Sequence, residues 1–150
     1  EAESRQHQVQ YTTLEKYPLT QTEVLQLNHG ALLDMQDPFL RLHSADWEKE
    51  ITISPFFTLQ KIQCTLPAPI ATDPVHCVFF DAFAPDIQPE LWSQSFFEQL
   101  FRLLFPGGSL VTYSSKSSVR KALAAAGFTL EKIPGPYGKR EMVRAYRPFV

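Results

Sequence analysis

The chain has 150 residues, a net charge of −2, and 44% hydrophobic and 13% aromatic residues, including 12 Phe. That composition predicts one ordinary folded domain rather than a disordered segment. It also carries no apolar run near the roughly 18–20 residues of a membrane helix, no signal-peptide core in its polar first ten residues, and only two cysteines, Cys64 and Cys77, neither in a Cys-x-x-Cys. The expectation is a soluble, cytoplasmic, single globular domain without a disulfide framework.

The near-neutral total hides a division. Residues 1–115 carry 6 Lys+Arg against 14 Asp+Glu, whereas residues 116–150 carry 8 against 2. The basic end comprises Lys116, Arg120, Lys121, Lys132, Lys139, Arg140, Arg144 and Arg147. It is a candidate footprint for a polyanion, the plain alternative being a solvated helix face with a basic tail.

In chain order, Val9–Leu14 alternates and is rich in β-formers, which predicts a strand. Thr20 followed by Glu23 is a capping-box start for a helix running to about Leu27, and Ala31–Met35 reads as a further helical turn. Phe39–His43 and Glu50–Ser54 are weaker strand candidates, Phe57–Cys64 a better one. His76–Asp81 is a short, nearly continuous apolar run, as expected of a strand covered on both faces. Trp92–Leu104 has helical periodicity through Phe96, Phe97, Leu100 and Leu103/Leu104, and its aromatics are assigned to the core. Pro106-Gly107-Gly108 reads as a stop and turn. Ser109–Tyr113 is a strand, Ser117–Ala125 a helix closed by Gly127, and Phe128–Ile133 and Met142–Tyr146 are strands joined by a Gly/Pro loop.

Strands alternating with helices predict an α/β domain with a mainly parallel sheet. Ligands of such sheets bind beyond the carboxyl ends of the strands, which singles out Glu15, Cys64/Thr65, Asp81 and Tyr113–Ser115. A carboxylate at Glu15 can accept hydrogen bonds from a ribose diol, or it is a solvated surface group. Asp81, with Phe83 two residues on, can hold an amino group against a flat apolar wall, or it caps a turn. The four His have no metal-ligand spacing, so no metal site is expected, and the Gly-x-Ser-x-Gly and His-Glu-x-x-His hydrolase signatures are absent.

Several segments together resemble one family. They are Tyr11-Thr-Thr-Leu-Glu-Lys-Tyr-Pro-Leu19, Phe79-Phe-Asp-Ala-Phe-Ala-Pro85, Pro89-Glu-Leu-Trp92, Pro106-Gly-Gly-Ser-Leu-Val-Thr-Tyr113, Val119-Arg-Lys-Ala-Leu123, Ala125-Gly-Phe-Thr-Leu130 and Gly138-Lys-Arg-Glu-Met142. In this order, over about residues 8–148, they are similar to the methyltransferase domain of the MnmC family of tRNA-modifying enzymes and its stand-alone relatives. The resemblance implies a Rossmann-like fold, S-adenosylmethionine as cofactor, and N-methylation of the 5-aminomethyl group of wobble (2-thio)uridine in tRNA. It assigns Glu15 to the cofactor ribose, Asp81 to the transfer site beside the amine, Phe83 and Pro85 to the shape of that loop, and Lys139 and Arg140 to RNA phosphate. It further implies an oxidase domain or partner for the preceding modification step.

Two departures stand out. The family's Gly-x-Gly-x-Gly cofactor loop has no counterpart, and neither has the first, central strand of its sheet, so the 150 residues are expected to be the C-terminal two-thirds or so of a single methyltransferase domain. A chain lacking that strand should have its sheet split in two, with unpaired backbone at the break, or the gap filled by another chain. The family's Gly-Asp, whose Asp meets the adenine amino group, is replaced by Cys64-Thr65; Thr65 can still accept a hydrogen bond, without charge. The alternatives to the lead reading are a related methyltransferase acting on another amine-bearing substrate and a catalytically inactive RNA-binding remnant.

Overall fold

A computed structural model describes residues 7–70, 73–135, 137–138 and 141–149. The chain divides into two compact units, residues 1–66 and 67–150. Each has a sheet of its own.

The first unit contains β1 (Val9–Glu15), α1 (Gln21–Gln26), α2 (His29–Leu32), α3 (Gln36–Ser44), β2 (Glu50–Ser54) and β3 (Phe57–Gln63). Its strand order is β1-β3-β2, with β1 parallel and β2 antiparallel to β3. The α1 start has the expected reciprocal cap: the Thr20 hydroxyl accepts from the Glu23 amide, and the Glu23 carboxylate accepts from the Thr20 amide at 2.7 Å. The strand expected over Phe39–His43 is instead part of α3. Helical spacing puts Phe39 and His43 on one face, where their rings lie 4.5 Å apart and Phe39 also stacks on His29 at 6.3 Å. At the end of α3, the buried Lys61 ammonium of β3 donates to the His43 carbonyl at 2.8 Å and sits over the Trp47 ring. A cation there complements the unsatisfied carbonyls of a helix C-terminus.

The second unit contains β4 (Val75–Phe80), a 3-10 turn (Pro89–Trp92), α4 (Gln94–Leu103), β5 (Leu104–Thr112), α5 (Ser117–Ala125), β6 (Thr129–Pro134) and β7 (Glu141–Tyr146). Its order is β4-β5-β7-β6; β4 and β5 are parallel, and β7 runs antiparallel to both its neighbours. Each sheet thus has one reversed strand, β2 or β7. The registered residues Phe80, Leu110, Thr112, Val143 and Ala145 are buried on one face. Phe96 and Phe97 of α4 meet Phe80 there, at ring distances of 6.0 and 5.6 Å.

Two expectations are corrected here. Pro106-Gly107-Gly108 is not a turn but a kinked stretch inside β5. Gly107 has φ +81°, its amide bonds to the Arg147 carbonyl, and the Arg147 amide returns to the Gly108 carbonyl. A Cβ on Gly107 would meet the Phe149 ring at 2.0 Å, so both the backbone angle and the close approach require glycine. Nor is β4 covered on both faces: Phe80 is buried, but Cys77 and Phe79 are exposed, Phe79 by 70%. The physical reason is that α4 meets β4 through Phe80, and alternation along the strand puts Cys77 and Phe79 on the opposite face. The expected division of the sheet is present: β1 and β4 each have a strand neighbour on one side only among the described residues.

Candidate active site

Two groups of strand-end residues are built by the two units. In the first, β1 and β3 run in register to Glu15↔Gln63, which carries Glu15, Cys64 and Thr65 to the same carboxyl edge. The Glu15 side chain is exposed; one carboxylate oxygen accepts the Tyr17 amide at 2.7 Å, while the Cys64 amide donates to the Glu15 carbonyl at 3.0 Å. Thr65 is exposed. Sequence reasoning missed Glu48, whose carboxylate accepts the Gln63 amide at 2.7 Å and whose φ is +60°. Burial, and then the Glu48 and Glu15 carboxylates, push the Cys64 thiol above its ordinary pKa, so Cys64 is a neutral thiol at this edge. No residue spacing pointed to Glu48; only pairing of β3 brings it there.

In the second unit, Asp81 follows the last residue of β4 and is exposed. Phe80 anchors that end, buried against Trp92 at 4.9 Å with the rings edge-on. Beyond it, Phe83 is 69% exposed, while Pro85 is half-buried. The parallel neighbour β5 delivers Tyr113 beside this loop: its hydroxyl donates to the Ala82 carbonyl at 3.0 Å. Burial raises the Tyr113 pKa first, and the nearby Asp81 carboxylate adds to it, so the phenol stays protonated and able to donate. An exposed carboxylate next to an exposed aromatic ring can accept hydrogen bonds from an amine and shield one side of it. Trp92, assigned from sequence to the core, is buried there but also bonds to this loop through its indole N–H.

The remaining site expectations fall elsewhere. Lys139 and Arg140 lie outside the described residues. Much of the basic end is engaged within its own unit: Lys116 with Asp86 at 2.5 Å, Lys132 with Glu141 at 2.9 Å, and Arg144 with Glu131 at 3.9 Å. Arg147 donates to the Phe101, Arg102 and Leu104 carbonyls. Among the described residues no group of three or more His, Cys, Asp or Glu side chains could hold a metal ion, and no helix is long and apolar enough to cross a membrane.

Curated relatives described as "tRNA 5-methylaminomethyl-2-thiouridine biosynthesis bifunctional protein MnmC" are 52% identical over 66 residues in Aromatoleum aromaticum, 47% over 64 in Chromobacterium violaceum, and 40% over 77 in Actinobacillus pleuropneumoniae serotype 5b. These alignments cover 43–51% of this chain but only 10–12% of those proteins. Among solved structures, MnmC2 from Aquifex aeolicus superposes with a TM-score of 0.71 at 24% identity, over 95% of this chain and 46% of its own. A methyltransferase from Pyrococcus furiosus matches with a TM-score of 0.50 at 15% identity, over 61% of this chain and 51% of its own. Both structural likenesses establish a Rossmann-like methyltransferase fold. A family model described as S-adenosyl-L-methionine-dependent methyltransferase matches residues 7–148, and the chain therefore belongs to that family.

Proposed function

We propose that the protein carrying this chain methylates the 5-aminomethyl group of wobble (2-thio)uridine in tRNA, with S-adenosylmethionine as donor. The observation that carries this reading is the 40–52% identity to proteins named for 5-methylaminomethyl-2-thiouridine biosynthesis. The exposed Asp81–Phe83 pair supplies chemistry that suits such an acceptor.

The residues present fit the cofactor. Glu15 spends one oxygen on the Tyr17 amide, and an ionised carboxylate has about four acceptor sites in all, so it can also accept from both ribose hydroxyls. The exposed Thr65 hydroxyl can accept from the adenine amino group. When bound, S-adenosylmethionine supplies a methyl group already activated by its sulfonium.

What the chain must then provide is alignment and a place for a proton. The acceptor amine attacks through its lone pair, so it must be neutral and correctly turned. Asp81 accepts an amine N–H, which turns the lone pair away from the carboxylate, and takes or relays the proton released as the new N–C bond forms. Phe83 supplies a flat wall against the base, and Pro85 stiffens the loop behind it. A wobble base lies in a single-stranded loop and can be splayed out to reach such a site. Lys139 and Arg140 would meet the RNA phosphates. The relatives are named bifunctional, which supports a second activity beside methyl transfer; an oxidase domain or partner for the preceding step is the proposed one.

The test uses the full-length protein with tRNA carrying 5-aminomethyluridine. Wild type should transfer methyl to it, and Asp81→Asn should lower kcat by about 10²–10⁴-fold with cofactor affinity nearly unchanged. Equal loss of cofactor binding would move Asp81 to the cofactor site. Transfer to another amine but not to this tRNA would replace the substrate, and failure to bind cofactor at all would leave an inactive RNA-binding protein.

A further inference from the structure

The loop that carries Asp81 and Phe83 is exposed, yet its backbone is tied down from behind. The Tyr113 hydroxyl donates to the Ala82 carbonyl at 3.0 Å, and the Trp92 indole N–H donates to the Phe83 carbonyl at 2.8 Å. The Phe83 amide donates to the Gln88 side-chain oxygen at 3.3 Å, while the Ile87 and Gln88 amides both bond to the Ala84 carbonyl. The peptide units on both sides of Phe83 are therefore fixed by side chains. Those side chains are themselves fixed: Trp92 is 6% exposed and packs edge-on against Phe80, Phe97 and Tyr113 at 4.9, 6.3 and 5.8 Å.

Core packing alone does not account for this arrangement. A buried ring could be Phe; an indole needs a partner for its N–H, and here the partner is the Phe83 carbonyl of the Asp81 loop itself, not of the surrounding scaffold. Likewise Tyr113 stays protonated and donating. Trp92 ends the 3-10 turn and Tyr113 follows the last residue of β5, and the two donors end on consecutive carbonyls of the loop.

We infer that Trp92 and Tyr113 are positioning residues for the methyl transfer proposed above, an inference that rests on that reading: together they clamp the Ala82 and Phe83 carbonyls and hold the Asp81 carboxylate and Phe83 ring on fixed bearings towards the acceptor amine. Neither touches the acceptor. Their effect passes through alignment, and a displacement of about 1 Å at a reacting centre can cost on the order of 10²-fold in rate.

The experiment compares Trp92→Phe, which keeps a core ring but removes the N–H, and Tyr113→Phe, which removes the hydroxyl, with wild type in the full-length protein. Phe128→Leu serves as a stability control from a separate ring contact with Phe101. Expected for Trp92→Phe is a 10–100-fold fall in kcat with cofactor affinity within about twofold of wild type, and for Tyr113→Phe a smaller fall of the same kind. Phe128→Leu should lower Tm more than either while leaving kcat within about twofold. Amide exchange at Phe83, Ile87 and Gln88, which needs no substrate, should quicken in both loop variants and not in Phe128→Leu. Unchanged exchange, unchanged kcat, or a kcat loss that merely follows Tm across all three variants would overturn the clamp. If wild type fails to methylate the tRNA, the proposed substrate falls. The exchange rates then still decide whether the loop is held by these two donors.

Discussion

Single residues here are held by more than their own element. His43 is the clearest case. Its carbonyl takes the Lys61 ammonium, and its ring packs on Phe39. Burial, then the charge of Lys61, then His29, hold its imidazole pKa below the ordinary value. The folded state therefore prefers the neutral ring. Its contribution is fully present above the unfolded imidazole pKa, near 6.5, and is lost as pH falls through the lower folded value. The urea midpoint of the chain should accordingly drop between pH 7 and pH 5.5, and His43→Phe should flatten that drop; an equal drop in the variant would mean that another group is responsible. At Asp81 the same scale carries the catalytic test, because one carboxylate-to-amide change removes charge and proton uptake but almost no volume.

At the scale of elements, most boundaries were legible because each has a local chemical cause. The Thr20/Glu23 box starts α1, periodic Phe and Leu define α4, and Gly127 at φ +102° follows the end of α5. Local causes failed at α3 and at Pro106–Gly108. The apolar spacing of Phe39–His43 fits either period over so few residues, and the contact with His29 decides it. The glycine pair reads as a turn until Arg147 is seen bonding across it. Arg147 also donates to three carbonyls at the end of α4, with its guanidinium over Phe101. A charged donor serving orphan helix carbonyls is worth about 1.5–3 kcal/mol, so Arg147→Met should lower unfolding free energy by roughly that amount in denaturant titration. A change below about 0.5 kcal/mol would show that water replaces it without loss.

For the molecule as a whole, the decisive feature is that β1 and β4 are both terminal strands of their sheets among the described residues. An apolar strand with a strand neighbour on one side only, as β4 has among the described residues, is a template for pairing with other chains, and β4 presents Val-His-Cys-Val-Phe-Phe with Phe79 70% exposed. The 150-residue chain should therefore self-associate, and Phe79→Ser should reduce its light scattering at equal concentration without lowering Tm; undiminished scattering would point to another surface. By itself the sequence determined the alternation of strands and helices, the family likeness, the expectation of a divided sheet, and the two strand-end carboxylates Glu15 and Asp81, because strand periods, caps and motif residues are local. Tertiary structure alone decided that Phe39–His43 is helical, that β4 has one bare face, that Lys116, Lys132, Arg144 and Arg147 are engaged within the chain, and that Trp92 and Tyr113 grip the Asp81 loop. Each of these depends on which distant groups meet, and pairing between residues tens of positions apart leaves no period in the chain.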